Sequence, residues 1–162
     1  MKEKMDRVGV DAVLSNARIV LDDRVIEQGW VATSEGKIVE IGEGEAPECG
    51  EDMKGDLLMP GLIELHTDHI EAHYVPRPKV YWDPVAAVVS YDSQLATSGI
   101  TTVLDSLRVW REDGVEEVDG QVHVLVGAID KAREADLLRV DHFLHLRCEI
   151  PMPTVVEDAS LY

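Results

Sequence analysis

The sequence predicts an α/β protein in which a small antiparallel sheet, residues 1–58, leads into about three strand and helix units, residues 59–162. Two observations carry the prediction. Between Asp11 and Leu58, short β-rich runs are cut by turn residues, as in a sheet of hairpins. From Gly61 onward, apolar runs of strand length alternate with segments whose apolar residues recur every three or four positions, which is the pattern of a parallel sheet with helical crossovers covering its faces.

The elements follow in order. "AVLSNARIVL", "GWVAT" and "KIVEIG" read as the antiparallel strands, with "SEG" as a tight turn between the last two, and "GEGEAPECGEDMKG" as a polar connection. "LIELH" is the first strand of the second part. A helix is expected from Val85 to Ser98, with Asp83 as N-cap, Pro84 at its first position and Gly99 as terminator. "TTVLD" is the second strand, ending at Asp105. Val122, Leu125, Val126, Ile129 and Ala132 mark the second helix, and "FLHLRCEI" the third strand.

The acidic balance, 32 Asp and Glu against 15 Lys and Arg for a formal charge of -17, argues against nucleic-acid and anionic-membrane partners. Acidic runs such as "REDGVEEVD" read as solvated faces, with adaptation to a salt-rich cytoplasm as a second reading. No apolar run reaches membrane-span length, and the charged amino terminus has no signal-peptide core. Cys49 and Cys148 match no metal or redox spacing. The expectation is a cytoplasmic protein.

The stretch "MPGLIELHTDHIEAHYVPRPK" concentrates the chemistry. Side chains two apart on a strand share a face, so Glu64, His66 and Asp68 are expected to point one way at the strand's carboxyl end, where α/β barrels keep their active sites. His145, Arg147 and Glu149 repeat the layout on the third strand. Histidine and carboxylates at strand ends, with no cysteine nearby, suit zinc, manganese or iron. A surface or paired histidine is the competing reading.

"PGLIELHTD", "PRPK", "SGITTVLD" and "HLRCEIP" together resemble the amidohydrolase superfamily and, within it, the triphosphate diphosphatases of phosphonate breakdown by the carbon-phosphorus lyase pathway. Asp68 departs from the commonest superfamily pattern, which has a second histidine there. The resemblance implies a small β-sandwich followed by the first part of an amidohydrolase-type (β/α)8 TIM barrel, incomplete, since such a barrel needs about 250 residues. It further implies hydrolysis of a phosphorylated sugar phosphonate to the 5-phosphate and diphosphate. His66, Asp68 and Glu149 would hold a divalent metal, zinc first, with manganese or iron as alternatives. Arg77 and Lys79 would bind substrate phosphates, although both also read as solvated charges after a turn. Asp105 is a candidate supporting residue or helix N-cap. Arg147 is expected to pair with an acid such as Glu64. His145 is expected to be a hydrogen-bonded barrel histidine, and His123 and His142 surface or helix-packing residues. Later strands would supply the catalytic residues, so the sequence is expected to be an N-terminal part, inactive alone. A homo-oligomer and association with other phosphonate-pathway proteins both stay open. The rival readings are an amidohydrolase for a cyclic amide or N-acyl substrate, and a non-catalytic truncated chain.

Overall fold

The computed structural model describes residues 10–47, 49–110 and 120–162. The acidic run at 111–119 lies outside them. The chain divides into two compact units, Met1–Pro60 and Gly61–Tyr162.

In the first unit, β1 (Ala12–Val20), β2 (Val25–Ser34) and β3 (Lys37–Glu43) form antiparallel pairs, with the β2–β3 turn at Glu35 and Gly36 as expected. Val13, Ala17, Ile19, Ile26, Trp30, Val31 and Ala32 are buried. The polar connection is more ordered than its composition suggests. Within and after it, β4 (Glu51–Asp52) and β5 (Leu57–Leu58) pair parallel to β1, so the sheet has five strands and is mixed rather than wholly antiparallel. Backbone bonds make these pairings, and a charged side chain does not forbid them. The turn between the two short strands is fixed by Asp52, which accepts from the Asn16 amide at 2.7 Å and the Lys54 N–H at 2.8 Å. These bonds, the Asn16 one first, hold the Asp52 carboxyl below its ordinary range.

The second unit is built on a parallel sheet in the order β6 (Leu62–Thr67), β7 (Ile100–Val109), β8 (Asp141–Cys148). A short helix, α1 (His69–Tyr74), follows β6; α2 (Pro84–Thr97) and α3 (Gly120–Glu134) are the crossovers, and α4 (Val155–Ala159) follows β8. The ends of α2 form as its sequence predicts: Asp83 Oδ1 accepts from the Ala86 N–H at 2.9 Å, Pro84 opens the helix, and Gly99 takes a φ of 80° just past it. Gly61 lets β6 enter beside β7, since a Cβ there would lie 2.1 Å from the Thr101 side chain.

The helices cover one face of the sheet. Val103, Leu107 and Val109 of β7 pack with Val88, Tyr91 and Leu95 of α2 and Val122, Leu125 and Ile129 of α3, each large apolar side chain contributing about 1.5–3 kcal/mol by its burial. The expectation of helices on both faces is therefore corrected. Leu62, Ile63 and Leu65 of β6 and Phe143 and Leu144 of β8, the two edge strands, remain exposed. Among the described residues, no helix is long and apolar enough to cross a membrane.

Candidate active site

The sheet carries two different polar assemblies, one on each face: one toward the carboxyl ends of β6, β7 and β8, the other at the middle of β7 and the amino end of β8. A register shift on β6 separates them. Glu64 pairs with Val103 and Thr67 with Asp105, so three steps along β6 match two along β7. Glu64 therefore does not share a face with His66 and Asp68 as strict alternation predicts. Its carboxylate bears on Tyr91 on the helix side, and its Oε1 accepts from the His66 backbone N–H at 3.0 Å.

On the open face, the His66 ring meets His145 edge-on with centroids 5.2 Å apart, and His145 Nδ1 lies 3.4 Å from Ser106 Oγ. Arg147 Nη1 donates to Asp68 at 2.7 Å, and its Nη2 lies 4.0 Å from Glu71. Arg147 thus pairs as expected, but with Asp68 rather than Glu64. That bond, foremost, holds the Asp68 carboxyl below its ordinary range, against a smaller opposing effect of burial. Glu149, just past β8, accepts from Arg108 Nε at 2.8 Å. Arg108 lies over the Trp110 ring at 4.6 Å, and its backbone N–H donates to Glu71 at 3.3 Å. Sequence reasoning passed over Arg108 by ending the second strand at Asp105. β7 runs to Val109, and the signal was the continued alternation of Ser106, Leu107, Arg108 and Val109.

Asp105 accordingly sits inside β7, neither a helix N-cap nor at the strand's end. Its side chain faces the helices, fully buried, with Oδ2 2.8 Å from His142 Nδ1. His142 Nε2 lies 3.4 Å from Asp92 Oδ1, which also accepts the N–H groups of Arg139 and Val140 at 2.9 Å each. Tyr91 is buried beside this set, its hydroxyl near Asp105 and Thr67 without closing a well-formed hydrogen bond. Burial, then the Asp105 charge, pushes that hydroxyl far above its ordinary value. His142 is a helix-packing residue, and its place is an internal lock between α2, β7 and β8. His123 packs against Tyr162 at 4.7 Å.

Arg77 and Lys79 lie in a tight turn closed by the Val80 N–H to the Arg77 carbonyl at 3.0 Å, with Lys79 at a φ of 65°. Both are exposed, and the hydrogen bonds and ion pairs of His66, Asp68 and Glu149 among the described residues run to other groups. His66, Asp68 and Glu149 have the right donor types for a zinc-class cation. Among the described residues, however, no three His, Cys, Asp or Glu side chains gather as a cation site, and each of the two carboxylates is engaged by an arginine. A recess of about 180 Å³ borders Glu71, Arg108 and Trp110 at this end. A larger one, about 530 Å³, lies by Arg133, Arg139 and Phe143, toward the amino end of β8 and away from Glu149.

Over 147 residues, 89% of its length, the chain is 36% identical to the alpha-D-ribose 1-methylphosphonate 5-triphosphate diphosphatase of Escherichia coli (strain K12). The resemblance to the amidohydrolase superfamily holds. The fold is shared with N-acetyl-D-glucosamine-6-phosphate deacetylase from Mycobacterium smegmatis, at a TM-score of 0.53 and 18% identity over 89% of this chain and 39% of that one. It is shared as well with a D-hydantoinase, at a TM-score of 0.51 and 20% identity over 91% of this chain and 29% of that one. No protein-family model matches. The chain spans 38% of the diphosphatase, and its three parallel strands correspond to the first part of an amidohydrolase-type barrel.

Proposed function

We propose that the complete protein is a metal-dependent hydrolase of phosphonate breakdown, cleaving α-D-ribose 1-methylphosphonate 5-triphosphate to the 5-phosphate and diphosphate. Residues 1–58 would begin its small β-sandwich and residues 59–162 its barrel. The observation that carries the reading is the identity to the E. coli diphosphatase along most of this chain.

His66, Asp68 and Glu149, at the carboxyl ends of β6 and β8, would hold a divalent cation, zinc by donor type with manganese or iron as alternatives, completed by donors outside this span. Bound there, the cation would supply Lewis-acid polarisation of a phosphoryl oxygen and an activated water. Arg77 and Lys79 are exposed cations on a turn and would meet substrate phosphates, supplying locally the attraction that an overall charge of -17 denies. The unpaired Cys49 and Cys148 accord with a cytoplasmic setting.

A second reading, hydrolysis of a cyclic amide or an N-acyl sugar, is favoured by the fold shared with the hydantoinase and the deacetylase. Supplying the complete protein and a divalent cation with the triphosphate, a hydantoin and an N-acetylated sugar phosphate separates the two. Diphosphate release from the triphosphate alone is expected, with loss of both bound metal and rate in His66→Ala and Glu149→Ala. Amide cleavage without diphosphate release would replace the first reading by the second. Full metal and rate in both variants would remove His66 and Glu149 from the site.

A further inference from the structure

The segment that carries Arg77 and Lys79 is fastened to the rest of the second unit at its root. α1 is 6 residues long, too short to hold its own shape in water, so its place is set by what it packs against. Ile70 is fully buried with Val88 and Tyr91 of α2, and His73 Nε2 lies 2.9 Å from Gln94 Oε1 on the same helix. A third fastening comes from the strands. Arg147 of β8 donates from Nη1 to Asp68, just before α1, at 2.7 Å, and its Nη2 lies 4.0 Å from Glu71 within α1. Glu71 in turn accepts the Arg108 N–H of β7 at 3.3 Å. Beyond α1 the chain closes on itself: the Trp82 N–H donates to the Tyr74 carbonyl at 3.0 Å, and the Tyr74 and Tyr81 ring centroids lie 5.5 Å apart. The loop so closed holds the turn from Arg77 to Val80, where Lys79 keeps a left-handed φ of 65° that a residue with a side chain adopts only when its surroundings impose it. The two cations are therefore borne on a closed loop, and the direction in which that loop points follows α1.

Stability alone does not account for Arg147. It stands directly opposite Arg108 in the β7–β8 register, and like charges so placed destabilise a sheet. Its pair with Asp68, whose side chain is 55% exposed, returns little to the stability of the whole fold. An exposed pair can nevertheless decide where a local segment lies, because a short helix and its loop open at far lower cost than the fold itself. Resting on the proposed function, we infer that Arg147 is a positioning residue: by gripping Asp68 and Glu71 it fixes the aim of the loop whose Arg77 and Lys79 meet the substrate's phosphates, and it touches none of those phosphates itself.

The test compares the complete wild-type protein with Arg147→Gln in metal-free buffer. In amide hydrogen exchange, residues 69–82 should exchange faster in the variant while β7 and α2 keep their wild-type protection. Binding of inorganic tripolyphosphate, followed by calorimetry, should weaken about three- to fivefold, the most that a pair of this exposure shifts a local equilibrium. With Arg77→Ala and Lys79→Ala already in place, adding Arg147→Gln should cost less than about twofold, since the loop no longer carries a charge to aim. An equal loss in both backgrounds would mean that Arg147 meets phosphate directly, and would overturn the positioning role. So would unchanged exchange at 69–82, faster exchange spread through β7 and α2, an affinity that ignores the substitution, or no tripolyphosphate binding by wild type. Arg147→Lys, which restores the charge, should recover part of the affinity; no recovery would mark a packing role and overturn the proposal as well. If Arg147→Gln does not fold, Glu71→Gln takes its place with the same readouts, keeping an oxygen for the Arg108 N–H while losing the charge that faces Arg147. Diphosphate release from the triphosphate is measured separately in wild type: its absence beside an intact coupling of Arg147 to the loop would reject the hydrolase reading and leave the positioning role standing.

Discussion

Asp105 and Arg108 are three residues apart on β7, yet they belong to two faces that treat charge in opposite ways. On the helix side, Asp105, His142 and Asp92 are sealed from water and bonded to one another. On the open side, Arg108 and Arg147 reach equally close acids while remaining accessible. The distances, 2.8 Å for His142 to Asp105 and 2.7 Å for Arg147 to Asp68, do not distinguish the pairs. Burial does. A sealed polar cluster whose members are removed one at a time leaves uncompensated groups in the core, whereas an exposed pair is replaced by water and ions. The first assembly accordingly contributes to stability, and the exposed pairs of the second contribute little to it.

The largest effect that sharpens this comparison is expected from Asp92→Ala. The change removes the acceptor for two backbone N–H groups, at Arg139 and Val140, and the partner of His142 Nε2. A loss of about 3–5 kcal/mol in denaturant-induced unfolding of the complete protein is expected, the range for breaking a buried charged network. Asp92→Asn, which can keep the accepting oxygen, should cost less. A loss below about 1 kcal/mol for the alanine variant would place the helix-side cluster on the same footing as the exposed pairs.

Next in size is the stability cost of Arg147→Gln, expected to stay under about 1 kcal/mol because the Asp68 partner is more than half exposed. Urea midpoints of wild type and variant decide it. A cost near that of Asp92→Ala would show that the open-face pair is part of the fold's framework.

How much of this was legible depends on the range of the interaction. The limits of α2 were readable because Asp83, Pro84 and Gly99 act within a turn of the residues they control. The placement of His66 and Glu149 at the carboxyl ends of β6 and β8, with β7 between them, was readable from short apolar runs. The pairing of charges was not. Arg147 and Asp68 are 79 positions apart, and His142 and Asp92 are 50 apart, so sequence spacing alone could not distinguish an internal lock from a ligand set. Asp105 read as a supporting residue because it ends "TTVLD" inside the stretch that carries the resemblance, and only tertiary packing shows that its side chain turns to the helices. The β6 register shift, which turns Glu64 away from His66, has no marker in "LIELHTD". β4 was invisible for a different reason: two acidic residues pair through their backbone alone.

The smallest effect expected at neutral pH, and the one that probes the boundary between the two faces, is that of Tyr91→Phe. The Tyr91 ring is buried against the helix-side cluster, and its hydroxyl lies near Asp105 and Thr67 without closing a well-formed hydrogen bond to either. Deleting an unpaired buried hydroxyl while keeping the ring should change stability at pH 7 by less than about 1 kcal/mol, in either direction. The alkaline behaviour is more telling. In the unfolded chain this tyrosine ionises near its ordinary value of 10.0, while in the folded protein burial and the Asp105 charge hold the proton on to higher pH. Below pH 10 both states keep the proton and stability does not depend on this group. As pH rises above 10 the unfolded state alone releases it, so stability falls, by up to about 1.4 kcal/mol per pH unit until the folded hydroxyl ionises too. Tyr91→Phe should therefore unfold with a shallower alkaline slope than wild type, measured by urea titration between pH 9 and pH 11. The difference between the two proteins cancels the other titrating groups. Parallel slopes would mean that the hydroxyl reaches water in the folded state, and that the seal between the open face and the helix-side cluster fails at Tyr91.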